Sequence, residues 1–486
     1  MSDPARPPVP TFVVVGHVNK GKSSVVATLT EDDTVPIDRT PGTTRRSGEY
    51  ELRIGGEPVL RLVDTPGFQD APAALEWLRA RAGNAAERPR AVAEFVAAFR
   101  GGEDFADEVE LLGPLTGKAA ILYVVDASRP YRPVYEAEME ILRWTGRPGM
   151  ALLNRIGADD HAEEWKPVLR QFFHLVREFD AHHAGFAERL ALIRAFAEVH
   201  DEWRAPVERA AARMEAEEAA RRRRALRAIA AGVLDCLGHV ERKPIQPGQD
   251  PAELDEALRR AFHDTLRRRE QRTREEVARL YRHHHLGAEA PEFELLAADL
   301  FSDTSFELFG LTRPQLALRG AAWGAAAGAV IDLMVGGLSF FAGAVLGGLL
   351  GGGAAWIGST RIARSWGERS ELFRRLFPGE TGRFRCFGPV TNPAFAWVLL
   401  DRALLHFRAV SRRAHACREP LRPETEPGKQ GLVHRLPAGL HQEIDRCLRA
   451  ALDGAKRGRA PGEEERARLA DLLDRALAAI DGSEAS

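Results

Sequence analysis

The sequence predicts an α/β domain with a mostly parallel sheet, followed by a largely α-helical C-terminal half. Three observations lead there. Between Thr11 and about His200, short β-rich runs alternate with helical stretches, the pattern of a parallel sheet covered by helices. After Asp201 that β pattern stops. The rest of the chain reads as charged amphipathic helices, interrupted by one apolar, glycine-rich stretch.

The expected strands are Phe12–Val15, Leu60–Val63, Ala120–Val125 and Met150–Leu153, apolar enough to be buried on both faces. Lys22–Leu29 and Val134–Trp144 carry helical patterns between them. About fifty residues separate Gly67 from the strand at Ala120, more than one crossover helix needs, so 73–113 reads as a helical insertion. The expected domains are 11–200, with that insertion, then a helical region 201–310, a glycine-rich hairpin 311–365 and C-terminal helices 366–486.

Length and composition bound the rest. A chain of 486 residues exceeds one ordinary domain, and 44% hydrophobic content is enough for packed cores. A formal net charge of −2 supplies no global attraction to nucleic acid or an anionic surface. Cys236, Cys386, Cys417 and Cys447 form no C-x-x-C pair, which disfavours zinc or a disulfide framework and fits a reducing cytoplasm. The proline-rich start, Met1 to Thr11, shows no secretory pattern.

Gly16-His17-Val18-Asn19-Lys20-Gly21-Lys22-Ser23 fits G-x-x-x-x-G-K-S, placed after a strand and opening a helix, as a phosphate-cradling loop requires. Gly16, Asn19, Lys20, Gly21, Lys22, Ser23 and Ser24 are its candidate nucleotide-binding residues. Lys22 is placed to reach the β and γ phosphates, and the Ser23 hydroxyl to hold Mg²⁺. Asp64-Thr65-Pro66-Gly67 supplies D-x-x-G: Asp64 as a Mg²⁺ partner through water, Gly67 as an N–H donor to the γ phosphate. Between them lies Arg39-Thr40-Pro41-Gly42-Thr43-Thr44-Arg45, where Thr44 is the favoured Mg²⁺-binding hydroxyl of a loop that orders around the γ phosphate and relaxes after hydrolysis. Lys22, Thr44 and Gly67 are the candidate catalytic residues.

Together, P-G-T-T-R, D-T-P-G and Asn19 three positions before Lys22 resemble the Era/TrmE branch of translation-factor-related GTPases, across residues 11–200. The remainder resembles a bacterial family that fuses such a P-loop G domain to a C-terminal domain of unknown function with a glycine-rich helical segment. The resemblance implies GTP and GDP as ligands, Mg²⁺ as cofactor, slow hydrolysis and a switch role. It also implies K⁺ at Asn19, in place of an arginine finger. RNA or ribosome association rests on the resemblance alone.

Four departures stand out. Guanine specificity normally comes from N-K-x-D; here Asn154-Arg155-Ile156-Gly157 keeps Asn154 for the base but puts glycine where the aspartate belongs. Asp159 and Asp160 are two or three residues out of register, and no S-A-K-like segment is evident near Phe179–His182. Lys20 replaces a small apolar residue, and Phe68 stands where other GTPases carry a water-orienting glutamine.

In the 41 residues of 320–360 the one charged side chain is Asp332, and glycines recur every fourth position. Two readings stay open: a pair of membrane spans with Arg319 and Arg361 on the cytoplasmic side, or a tightly packed soluble hairpin. The first makes the protein inner-membrane associated, a nucleotide-gated scaffold. An unidentified protein partner and a homo-oligomer are both compatible with this chain. Weaker signals are the basic run Arg221–Arg224, the triplet His283-His284-His285, the G-x-x-G of Gly379 to Gly382, and a helix over Phe395–Arg418 with an apolar face and solvated basic residues. Each reads first as ordinary helix or loop surface.

Overall fold

The computed structural model describes residues 9–37, 47–283, 365–367, 370–380, 382–417 and 432–484. Thr44, the glycine-rich stretch 320–360, His284, His285 and the linker after Arg418 lie outside these residues. The chain divides into two compact units, the first mainly 1–220 and the second mainly 221–281 with the C-terminal part.

In the first unit, strands β1 (Thr11–Val15), β2 (Gly48–Ile54), β3 (Glu57–Asp64), β4 (Ala120–Asp126), β5 (Gly149–Asn154) and β6 (Leu175–Phe179) form one sheet ordered β2-β3-β1-β4-β5-β6. All pairs are parallel except β2–β3. Side chains alternate across β1, so Phe12 and Val14 enter one core layer while Val13 and Val15 enter the other. Full burial of each contributes about 1.5–3 kcal/mol. Helix α1 (Lys22–Thr30) covers the first face; α2 (Ala71–Arg79), α3 (Arg88–Phe99), α4 (Ala106–Leu112), α5 (Val134–Trp144) and α6 (Ala162–Phe172) cover the second. Helices α2, α3 and α4 occupy the long stretch between β3 and β4, while α7 (Phe186–Ala195) and the start of α8 (Arg204–Leu237) return to the first face.

Strands β2 and β6, absent from the sequence expectation, are the two sheet edges. Edge strands face solvent along one side, so their apolar alternation is diluted; in β6 both Arg177 and Glu178 are exposed.

The expectation that β structure ends at Asp201 is corrected in the second unit. Strands β7 (Glu241–Pro244), β8 (Ser365–Gly367) and β9 (Phe384–Phe387) form a small sheet ordered β7-β9-β8. Strands of three or four residues, one reading Glu-Arg-Lys-Pro, are too short and charged to show a period of two. Around them pack the second part of α8, α9 (Pro251–Leu280), α10 (Glu371–Leu376), α11 (Pro393–Ser411), α12 (Ala438–Lys456) and α13 (Glu463–Glu484).

Helix α11 is buried nearly all round, not amphipathic as expected: Arg402 is 1% exposed and donates to Glu270 at 2.7 Å. The run Arg221–Arg224 is likewise not one solvated face. At 100° per residue it circles the helix, so Arg221 turns inward over the Tyr281 ring and Arg222 binds Asp474 at 2.5 Å. His283 is buried and stacks on His415, with ring centroids 4.4 Å apart. Among the described residues there is no group of side chains suited to a metal ion by itself, and no helix long and apolar enough to cross a membrane.

Cys236, Cys386 and Cys447 are buried and Cys417 is half-buried; none is in a disulfide. Burial pushes the Cys236 and Cys386 thiols up to about 12 and raises that of Cys447.

Candidate functional site

The site forms at the C-terminal ends of β1, β3, β4 and β5, where parallel strands hand over to loops. Gly16 leaves β1 with φ of 145°, and a Cβ there would lie 2.3 Å from the Val124 carbonyl oxygen. Only glycine fits this position. Asn19 takes the left-handed conformation at φ 57°, which asparagine tolerates better than most residues. The loop carbonyls curl round the Lys22 ammonium, which donates to Gly16 O at 3.3 Å and His17 O at 3.0 Å. Desolvation lowers the Lys22 pKa to about 8; Asp64 opposes this most strongly, with Glu138 and Asp107 acting in the same direction.

Ser23 Oγ donates to Asp64 Oδ2 at 2.6 Å. Burial pushes the Asp64 carboxyl up against the lowering pull of Ser23 and Lys22. Its Oδ1 is buried and accepts no hydrogen bond among the described residues. An acceptor-only oxygen beside a serine hydroxyl is a donor set suited to a hard cation such as Mg²⁺. Thr65 Oγ1 donates to Val14 O at 2.7 Å, which fixes the turn to β1. Gly67 then passes so close to the phosphate loop that a Cβ would lie 2.4 Å from Val18 N. Phe68 is fully buried; its N–H donates to Gly16 O at 3.3 Å.

Several supporting residues carried no sequence signal. Glu138 on α5, 1% exposed, accepts from Tyr123 OH at 2.9 Å and holds His17 Nδ1 at 2.8 Å. Lys20 is buried with its ammonium 3.8 Å from Asp126 Oδ2 and 5.6 Å from the Tyr135 ring centroid. Desolvation lowers its pKa, against the raising effect of Asp126. The added charge at this position is therefore held inside the domain by its own counter-ion.

Asn154 is fully buried, and its amide braces two loops: Nδ2 donates to Lys20 O at 3.2 Å and Oδ1 accepts from Ala181 N at 3.1 Å. The turn Asp180-Ala181-His182 directly after β6 thus stands beside the asparagine, although the sequence shows no S-A-K-like segment there. Asp160 accepts from Arg155 Nη2 at 2.7 Å and from Ala162 N at 3.0 Å, so both its oxygens serve local structure. Asp159 and Ile156 are exposed. Asn154→Ala removes both braces and leaves Lys20 O and Ala181 N unpaired. The expected destabilisation is roughly 2–4 kcal/mol, seen as a lower melting temperature of the first unit; an unchanged melting temperature would refute the brace.

Known families and proteins match parts of this chain. Residues 11–155 match the family described as 50S ribosome-binding GTPase, and residues 167–475 match the Domain of unknown function (DUF3482). The tRNA modification GTPase MnmE of Mesorhizobium japonicum is 38% identical over 112 residues, covering 23% of this chain and 24% of that protein. MnmE of Alkalilimnicola ehrlichii is 44% identical over 64 residues, covering 13% of this chain and 14% of that protein. The chain thus spans a quarter or less of the length of these relatives. Among solved structures, Aquifex aeolicus Era bound to GDP and AlF4⁻ aligns at 15% identity over 56% of this chain and 89% of its own, with a TM-score of 0.26.

Proposed function

Because the chain belongs to the DUF3482 family and carries a GTP-binding P-loop GTPase domain ahead of that region, we propose that it is a Mg²⁺-dependent GTPase that works as a slow molecular switch. The observation that carries this reading is the Ser23–Asp64 hydrogen bond beside the unpartnered Asp64 Oδ1, with Lys22 caged next to it. Ser23, Asp64 and Thr44 would hold Mg²⁺, which when bound neutralises phosphate charge. Lys22 binds the β and γ phosphates in exchange for its loop carbonyls. Backbone N–H groups of the loop from Gly16 to Ser24 cradle the phosphates, and Gly67 offers its N–H to the γ phosphate. Asn154 holds the floor of the base pocket by bracing Lys20 and Ala181.

Slow turnover is supported by Phe68, which is fully buried and has no polar atom to orient a water. Asn19, at the potassium-coordinating position of the resembled family, supports stimulation by K⁺ over Na⁺. The test is binding of GTP, GDP and ATP with Mg²⁺ in potassium and then sodium buffer, followed by phosphate release. Guanine preference with potassium-stimulated release is expected; equal affinity for ATP and GTP, or binding without release, contradicts the reading.

Base preference should be shallow, because the aspartate position is Gly157. A bidentate base contact is worth about 1–3 kcal/mol, so Gly157→Asp is expected to sharpen the GTP-over-ATP ratio roughly tenfold or more. The new Cβ would lie 3.1 Å from Ser128 Oγ and 3.2 Å from Ser128 Cβ, so pairing the change with Ser128→Gly, which removes both atoms, gives it room. Competition between labelled GDP and unlabelled ADP measures the ratio; no change in either variant would place the base elsewhere.

A further inference from the structure

The inserted helix α4 touches the nucleotide machinery at two points. Glu108, 2% exposed, accepts from the backbone N–H of Gln69 and of Asp70, each at 2.7 Å. These two residues directly succeed Phe68, so the turn from Asp64 is pinned to the phosphate loop on one side and to Glu108 on the other. Two residues further along α4, Glu110 receives the chain that leaves the threonine loop: Ser47 N donates to its Oε2 at 3.3 Å, and Ser47 Oγ to its carbonyl at 3.0 Å. Asp107, in the first turn of α4, lies near enough for its charge to raise the affinity of Lys22 for its proton.

A seven-residue helix bonded to the backbone just after Gly67 and to Ser47 cannot stay indifferent to them. In a GTPase the turn that carries Gly67 rearranges with the γ phosphate. Two N–H groups sharing one buried carboxylate oxygen hold their backbone in one place, because releasing them leaves the carboxylate charge unpaired.

We propose that α4 positions the γ-phosphate-sensing turn for the triphosphate: Glu108 fixes the backbone after Gly67 so that the Gly67 N–H can meet a γ phosphate, and Glu110, by holding Ser47, anchors the same helix. This role rests on the GTPase reading. Glu108 and Glu110 act through the segments they hold and do not touch the reacting atoms. The same contacts run in reverse, so an occupied γ-phosphate site tightens α4 and the helices beside it.

The experiment compares GDP with a non-hydrolysable GTP analogue on the full chain. Glu108→Ala is expected to bind GDP within about twofold of wild type and the analogue about tenfold more weakly, a typical coupling between two sites. Single-turnover hydrolysis at saturating GTP should fall by a similar factor, and Glu108→Gln, which keeps an acceptor oxygen, should recover most of it. If Glu108→Ala does not fold, Ser47→Ala at the exposed tether carries the test, with an expected shift in the same direction. In the wild type, amide exchange over 106–112 should be several-fold slower with the analogue than with GDP. Equal loss of GDP and analogue affinity, without recovery in Glu108→Gln, would reduce Glu108 to a structural residue and overturn the inference. So would exchange over 106–112 that is identical in the two nucleotide states. A wild type that binds neither nucleotide overturns the GTPase reading itself.

Discussion

Replacing Lys22 with alanine is expected to lower single-turnover GTP hydrolysis by roughly 10²–10³-fold, the usual effect of removing one preorganised charge or donor from a transition state. The pH dependence tests the same residue more sharply. In the free protein burial holds the Lys22 ammonium at about 8, below the ordinary 10.5, because loop carbonyls replace only part of its hydration. Phosphate oxygens restore the charge. Nucleotide binding above pH 8 must therefore take up a proton, and the dissociation constant should climb toward tenfold per pH unit from this group. Below pH 8 that slope should vanish. Stability moves oppositely. The folded chain binds fewer protons here than the unfolded chain between 8 and 10.5, so nucleotide-free stability rises with pH across that window. Lys22→Met, which keeps the volume without the charge, should then melt higher than wild type without nucleotide, by up to about 3 kcal/mol near neutral pH. Calorimetry in two buffers of different ionisation enthalpy reads the proton. Identical heats at about pH 9, a unit above the Lys22 value, would show that Lys22 does not bind the phosphates.

The second large effect lies in α11, where two buried groups titrate in opposite senses. Burial pushes the Asp401 carboxyl up to about 7, although backbone N–H groups of Val433 and Leu432 pull it down. Burial, with Arg274, holds His406 down at about 3. Folded Asp401 keeps a proton that the unfolded chain releases above 3.8, so its stabilisation is full at low pH and is lost as pH rises through 7. Folded His406 refuses a proton that the unfolded chain accepts below 6.5, so its contribution is full at higher pH and is lost as pH falls toward 3. Each amounts to about 4–5 kcal/mol across its window. Between about pH 4 and 6.5 they cancel, and the wild-type second unit should show an almost flat stability profile. Asp401→Asn should unmask a profile that rises with pH, and His406→Gln one that falls. Amide exchange of α11 at stepped pH measures both. A flat profile in either single variant would mean that its remaining partner is not buried as the packing shows.

The phosphate loop was legible because its spacing comes with its own context, an apolar strand before and a helix after. Asp64 and Gly67 were legible for the same reason, at a fixed distance from that loop. The buried strands β1, β3, β4 and β5 announced themselves by apolarity, whereas β2 and β6 were hidden by lying at the edges of the sheet. Residues that support the site from a distance were invisible. Glu138 lies 121 positions from His17, and Glu108 39 positions from Gln69, so no local pattern links them. Glu138 and Glu108 look like any other glutamate on a charged helix, and only the folded chain shows that they face inward. Arg402 and Arg221 mislead in the same way, because a long basic side chain can be buried once a carboxylate or an aromatic ring meets it. Asn154 was legible as a motif residue, but its bracing of Lys20 and Ala181 depends on the turn after an edge strand.

The distribution of thiols has a practical consequence. A maleimide reacts with thiolate, and burial suppresses both access and ionisation at Cys236, Cys386 and Cys447. Cys417 is the half-buried one, next to Ala416, whose N–H reaches Thr28 Oγ1 of α1 at 3.2 Å. Helix α1 begins at Lys22 itself. Brief labelling of the unaltered chain should thus deposit one fluorophore beside the helix that opens at the phosphate loop. Nucleotide exchange could then be followed by its fluorescence, with no cysteine introduced or removed.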